Sequence, residues 1–165
     1  MFLRISQLKL YQIILMSLFL QLAIFATFDL GVDEAHYMLY ARHLALSYFD
    51  HPPLVGWVHF LFDSILGENL FASRLPAMLV GMFSVWQLFV FLKEEGFSDQ
   101  VTTWSTLSMA FCLQFFVLHL FFLPESLCLF LVWPLMRATS QVAKENSFKS
   151  WLALGFWLGL MGLAK

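Results

Sequence analysis

The chain has 165 residues, 61% of them hydrophobic and 12% charged, with a formal net charge of −2. Its 20 phenylalanines and 6 tryptophans exceed what a small water-soluble core hides, so the composition describes a membrane protein. The weak negative charge and the lack of a basic tract exclude a nucleic-acid partner.

In chain order, Arg4 and Lys9 precede an uncharged run over residues 10–28. A signal peptide carries a shorter apolar stretch of about 7–15 residues and a small-residue cleavage site, so this run reads as a retained first span. Residues 31–73 then form a long loop. Within it Ala35, Met38, Leu39, Arg42 and Leu46 recur at helical spacing, with His36, Tyr40 and His43 on another face. That spacing predicts a short helix lying at the membrane interface and capped by Asp33. Pro52-Pro53 open a second short helix through Val58 to Ile65, closed by Gly67-Glu68-Asn69.

Further spans are expected over residues 75–92, with Pro76 at the helix start, and over 101–122. Two more follow over 125–141, kinked at Pro134 with Arg137 snorkelling, and over 150–165. Cys112 and Cys128 both lie in apolar runs and read as small buried hydrophobes; neither a disulfide framework nor zinc spacing is present. The expected fold is an all-α integral membrane bundle with two short interfacial helices in the first outer loop.

Basic residues orient the bundle. Arg4 and Lys9 precede the first span, and Arg137, Lys144 and Lys149 fall between the fourth and fifth, so both groups face the cytoplasm under the positive-inside rule. Glu94, Glu95 and Asp99 share that side, but acids count little in the rule. Parity then places the 31–73 loop and the turn at Pro124-Glu125 together on the outer face.

That loop concentrates the chain's titratable side chains: Asp33, Glu34, His36, Arg42, His43, Asp50 and His51. Asp33-Glu34 reads equally as a helix start favoured by the dipole and as a fixed carboxylate suited to removing a hydroxyl proton. Glu125 either marks a helix start after Pro124 or is functional, since a carboxylate at the membrane centre costs about 2.5–3.5 kcal/mol. Asp50-His51 either forms a turn or sits beside a helix N-terminus where an anion or a divalent metal would be held. Arg74 reads as a snorkelling anchor or a phosphate contact, and His59 and His119 as core or interface histidines.

Together these residues resemble the polyprenyl-phosphate-sugar-dependent glycosyltransferases of the GT-C fold. The likeness is to bacterial relatives of the protein O-mannosyltransferases and to the lipid A aminoarabinose transferases. It rests on Asp33-Glu34-Ala35-His36-Tyr37, on Tyr48-Phe49-Asp50-His51-Pro52-Pro53-Leu54, on Arg74-Leu75 and on Pro124-Glu125. Gly162-Leu163-Ala164-Lys165 also matches the start of a Gly-Leu-x-x-x-Lys-like segment of such proteins.

The resemblance implies that Asp33 is the catalytic base or orients the acceptor, with Glu34 in support. Glu125 would be the second outer acid, where the family usually carries Asp. Asp50, His51, Arg74 and Lys165 would lie near the donor phosphate, and Asp50 and His51 are candidate ligands for a divalent metal. It further implies a lipid-linked sugar donor, an acceptor that is a protein, lipid or glycan, and a bacterial inner membrane with the active face outward. Relatives are longer, so the chain is expected to be the N-terminal portion of such an enzyme, or an inactive truncated fragment. The rival expectation is a non-enzymatic membrane protein, a transporter half or an assembly subunit, whose acids line a polar path.

Overall fold

The computed structural model describes residues 9–25 and 27–165, so Arg4, counted above among the cytoplasmic charges, lies outside the described residues. Those residues form helices and no strand. Helix α1, Leu10–Ile24, stops short of the expected span end at residue 28. Its 15 residues reach ~22 Å at the helical rise, less than the ~30 Å hydrocarbon layer.

Gly31, not Asp33, occupies the N-cap of α2, Val32–Arg42. Asp33 and Glu34 therefore both lie in the first turn, where the helix dipole favours carboxylates. Glu34 folds back to accept the Gly31 N–H at 3.0 Å, satisfying one donor that the helix start would leave open. Helix α3, Leu54–Leu66, follows Pro53 and ends at Gly67, whose φ of 78° suits only glycine.

Helix α4, Leu70–Glu94, begins before the expected residue 75 because Asn69 caps it, its side-chain oxygen accepting the Ala72 N–H at 3.0 Å. Pro76 thus falls inside the helix rather than at its start, and its missing N–H leaves the Ala72 carbonyl without an intrahelical donor. The expected span over 101–122 is instead two helices, α5, Asp99–Phe111, and α6, Leu113–Leu120. They meet at Cys112, whose backbone is extended, with a 59° bend between them.

Helix α7, Pro124–Glu145, runs on through Pro134 and past the expected residue 141, ending at Asn146 in the left-handed region. Helix α8, Phe148–Ala164, starts where the Ser147 hydroxyl accepts the Ser150 N–H at 3.2 Å. Among the described residues α4 and α7 are long and apolar enough to cross a membrane, and α5 with α6 forms a third crossing if the bent pair is one span. The apolar helices α1 and α8 are shorter, at 15 and 17 residues, so five full-length spans are not observed. The protein is an all-α, multi-pass integral membrane bundle.

Helix α4 is the hub, packing against α1, α3, α5, α6 and α7. Ile13, Val85 and Ala110 form the core where α1, α4 and α5 meet, and Leu88, Leu92 and Met109 form one further along α4. A larger cluster joins Tyr37, Tyr40, Val55, Ala77, Phe122, Leu127 and Leu131. It ties the two interfacial helices to α4 and α7.

Ion pairs fix the direction of α7 against α4. Arg137 donates to Glu94 at 2.7 Å, and Glu95 accepts from Lys144 at 2.8 Å and from Ser140 at 2.6 Å. Two of the acids left over by the positive-inside argument, Glu94 and Glu95, are therefore partners of α7's bases, Asp99 pairs with Lys93 of α4, and Arg137 is paired rather than simply snorkelling. Exposed pairs contribute only about 0–1 kcal/mol each, but they fix register. With their C-terminal halves side by side, α4 and α7 run parallel. Leu70 and Pro124 consequently open the two helices at the same end of the bundle.

The bend at Cys112 lays α6 on α4 at Gly81. A Cβ added at Gly81 would sit 2.5 Å from His119 Cγ and 2.6 Å from its Cβ, closer than carbon atoms approach. Gly81→Ala should therefore destabilise the fold by about 1–3 kcal/mol, the usual range for overpacking, read as a lower thermal midpoint in detergent. An unchanged midpoint would contradict this contact.

Candidate functional site

The site is built on a buried ion pair. Arg74, one turn into α4, is fully buried, and Glu34 is 2% exposed. Arg74 Nε donates to Glu34 Oε1 at 2.9 Å and Nη2 to Glu34 Oε2 at 2.9 Å, a bidentate fork. Nη2 also donates to Asp29 O at 3.0 Å, and Nη1 to Phe28 O at 3.0 Å and to Phe25 O. The guanidinium lies 4.9 Å from the centre of the Phe121 ring.

All five N–H bonds of Arg74 are thus committed, and three of them satisfy carbonyls at and beyond the C-terminal end of α1. The guanidinium has no further N–H to give in this arrangement. Glu34 in turn accepts from Arg74 twice and from Gly31, and is shut away from solvent. It holds the first loop against α4 and has no face for an acceptor hydroxyl.

Asp33 is different. It is exposed, and among the described residues it has no hydrogen-bond or ion-pair partner. One helical turn later lies Tyr37, buried at 8% exposure, so the two share a face of α2. The Tyr37 phenol is pushed up to about 12, first by burial and then by the carboxylates of Glu125, Asp33 and Asp50. Carboxylates from α2, from the loop before α3 and from the start of α7 therefore lie within electrostatic reach of one phenol, whose hydroxyl is 3.5 Å from His51 Nε2.

A tyrosine cage positions Asp50 and His51. Tyr40 stacks on Tyr48 with ring centres 3.7 Å apart and 2° between planes. Tyr48 OH donates to Tyr40 O at 2.9 Å. Tyr40 OH donates to Asp50 Oδ1, and His36 Nε2 lies 2.9 Å from the Tyr40 hydroxyl and 3.2 Å from Asp50 Oδ2. Gly56 makes room for the stack, since a Cβ there would meet Tyr40 Cβ at 2.7 Å.

The Tyr40 hydrogen bond, against partial desolvation and with help from His51 and His36, holds the Asp50 carboxyl down at about 2. His51 Nδ1 sits 3.2 Å from Asp50 Oδ2, which turns Nε2 toward Tyr37 OH, 3.5 Å away. Asp50 directs its oxygens to Tyr40, His36 and His51. Among the described residues, no group of three His, Cys, Asp or Glu side chains is placed to hold a metal ion. The donor set at Asp50-His51 does not fit a metal site.

At the opposite wall Glu125, in the first turn of α7, accepts an ion-paired hydrogen bond from Lys165. Lys165 follows α8, so this pair joins α7 to α8. His59 and His119 are fully buried, His59 against Phe122 with ring centres 5.1 Å apart and His119 against Gly81. Both stand apart from the cage. The sequence gives Asp50 and His51 a role in the site, whereas the part played by Tyr40 and Tyr48 in holding them is visible in the fold. Tyr37 and Tyr40, one turn beyond Asp33 and His36, carry the signal in their spacing.

The family of dolichyl-phosphate-mannose-protein mannosyltransferases matches residues 50–165, most of the chain. The chain belongs to that family. It is also similar to a curated protein, the lipid A galacturonosyltransferase RgtD of Rhizobium johnstonii, at 25% identity over 138 residues. That alignment covers 83% of this chain and 29% of RgtD, so the chain spans under a third of the relative's length. No solved structure matches. The GT-C resemblance read from the sequence is thus shown at the level of family; the match includes Asp50, His51, Arg74, Glu125 and Lys165, while Asp33 and Glu34 lie before it.

Two measurements probe this geometry. Arg74→Ala should cost about 3–5 kcal/mol, because it leaves Glu34 buried without its partner, and Arg74→Lys should recover little, a lysine lacking the bidentate fork. Denaturation of each variant in detergent checks both, and a near-native Arg74→Ala would contradict the saturated pair. Tyr40→Phe should move the Asp50 titration up from about 2 toward 3.8. The sign follows from linkage: a depressed carboxyl stabilises above its unfolded pKa and loses that as pH falls through the folded value. Carbon-13 NMR of the Asp50 carboxyl should show the wild-type loss between about pH 4 and 2, and a narrower window in Tyr40→Phe.

Proposed function

We propose that the chain forms part of a membrane glycosyltransferase that moves a sugar from a polyprenyl-phosphate donor to an acceptor hydroxyl on the outer face of the membrane. The family supports a glycosyl transfer. The observation that carries the rest is Asp33: an exposed carboxylate without a partner, set over Tyr37 and facing the end of the bundle where Asp50, His51 and Glu125 gather. An unpaired carboxylate on a helix start is free to come within hydrogen-bond reach of an acceptor hydroxyl, as a general base must.

In this reading Asp33 takes the proton of the acceptor hydroxyl. The hydroxyl oxygen bonds to the anomeric carbon as the bond from that carbon to the phosphate oxygen breaks, and the configuration inverts. The leaving electron pair stays on the polyprenyl phosphate. His51, oriented by Asp50, faces that phosphate through Nε2, and Lys165 brings a positive charge to the same wall, where developing anionic charge is stabilised. Glu125 holds Lys165 in place through their ion pair.

The gathering of these residues near the starts of α4 and α7 supports an enzyme acting on a bilayer-anchored donor over a transporter, whose charges sit near the midplane. The bases Lys9, Arg137, Lys144 and Lys149 lie toward the other end or its loops, consistent with a cytoplasmic side there and an active face outward, in a bacterial inner membrane. The lipid tail of the donor would lie along the membrane-facing helices.

Asp33→Asn in the full-length gene product should lower transfer from a radiolabelled polyprenyl-phosphate sugar by about 10²–10⁴-fold, the usual worth of a general base. Donor binding should persist. Undiminished transfer would remove Asp33 from the mechanism.

A further inference from the structure

The opposite end of α2 from Asp33 carries a second polar feature, and none of its residues enters the site above. A cavity of about 400 Å³ is lined by Ala41, Arg42, Phe60, Asp63, Ser64 and Glu68. Arg42 donates through Nε at 3.1 Å and through Nη2 to a single oxygen, Glu68 Oε2. Nη1 of Arg42 and Oε1 of Glu68 have no partner among the described residues.

Asp63 is the unusual member. Its Oδ1 is excluded from solvent and accepts no hydrogen bond among the described residues. Burial raises the Asp63 carboxyl above its ordinary range, Glu68 adds to the shift, and Arg42 opposes it. A buried acceptor left unmade costs about 1–3 kcal/mol, which a donor arriving from outside would recover. Ser64 gives its hydroxyl proton to Phe60 O at 2.6 Å and so offers the cavity lone pairs only.

The lining therefore presents one guanidinium edge, two carboxylates with free oxygens, an accepting hydroxyl and an aromatic ring, with a net charge of −1 from Arg42, Asp63 and Glu68. Exposed Leu39, Leu61 and Ile65 lie on the same two helices. A ligand that satisfies this set carries N–H donors with positive charge, an anionic group a few bonds away, and an apolar tail. We propose that the cavity binds the headgroup of an aminophospholipid, its primary ammonium on Asp63 and its phosphate on Arg42 Nη1. A quaternary ammonium would fill the same volume without an N–H for Asp63, so the site distinguishes ethanolamine from choline headgroups. A bound lipid there would brace α2 against α3, and α2 is the helix that carries Asp33.

The test uses the full-length protein in detergent and native mass spectrometry, titrated with short-chain phosphatidylethanolamine, the matching phosphatidylcholine, and soluble O-phosphoethanolamine. The expected result is at least tenfold tighter binding of the ethanolamine lipid than of the choline lipid. Asp63→Asn and the more exposed Arg42→Gln should each erase that preference while helical circular dichroism stays native. Equal binding of the two lipids, or a preference that survives in both variants, overturns the proposal. Soluble phosphoethanolamine binding as tightly as the lipid would overturn the bilayer as the source of the ligand, and much weaker soluble binding would support it.

Discussion

The Glu34–Arg74 pair is the constraint on which the rest of the structure depends. It takes two charges out of water, and such a pair stabilises only when every remaining donor and acceptor is met. Here they are met: the carboxylate receives three N–H bonds and the guanidinium gives five, three of them to carbonyls between α1 and α2. One interaction thus ends α1, starts α2 and pins both to α4. Glu34 is locked inward, whereas its neighbour Asp33, about 100° further round the helix, is exposed.

From this anchor the site assembles in layers. Tyr37 and Tyr40 project from the α2 face that packs on α3 and α7, and Phe122 closes the cluster from below. Tyr40 and Tyr48 then fix Asp50, and Asp50 fixes His51. Tyr40, His36 and His51 all approach the Asp50 carboxylate, so the loop before α3 is ordered by its own side chains. Rigidity of that kind matters for a transferase. Its leaving group is an anion on a long mobile lipid, and the protein's contribution is fixed charge in a fixed place.

Much of this was legible in the sequence. Composition gave the class, the Pro-Pro and Gly67 signals bounded α3, and parity brought Glu125 to the end of the bundle that holds Asp33. The roles of Glu34 and Arg74 were not legible, because Asp33-Glu34 and Arg74-Leu75 read the same whether the acid and base meet each other or a substrate. Only burial separates the two cases, and burial follows from where α1 ends. The break at Cys112 also escaped the reading. No Gly or Pro marks it, and residues 101–122 carry no formal charge. What sets the bend is tertiary, the close fit of His119 on Gly81, and a lone glycine in a span does not announce its partner.

The central claim is that one carboxylate from the first loop and another from the start of α7 face each other across Tyr37. The most direct measurement replaces Cys112 and Cys128 with serine and alanine, introduces Asp33→Cys together with Glu125→Cys, and treats intact membranes with a membrane-impermeant thiol cross-linker of short span. The account predicts efficient cross-linking from one side of the membrane, visible as a shift after cleavage of the intervening chain. Labelling of the two positions from opposite sides would place them in separate compartments and contradict the shared site.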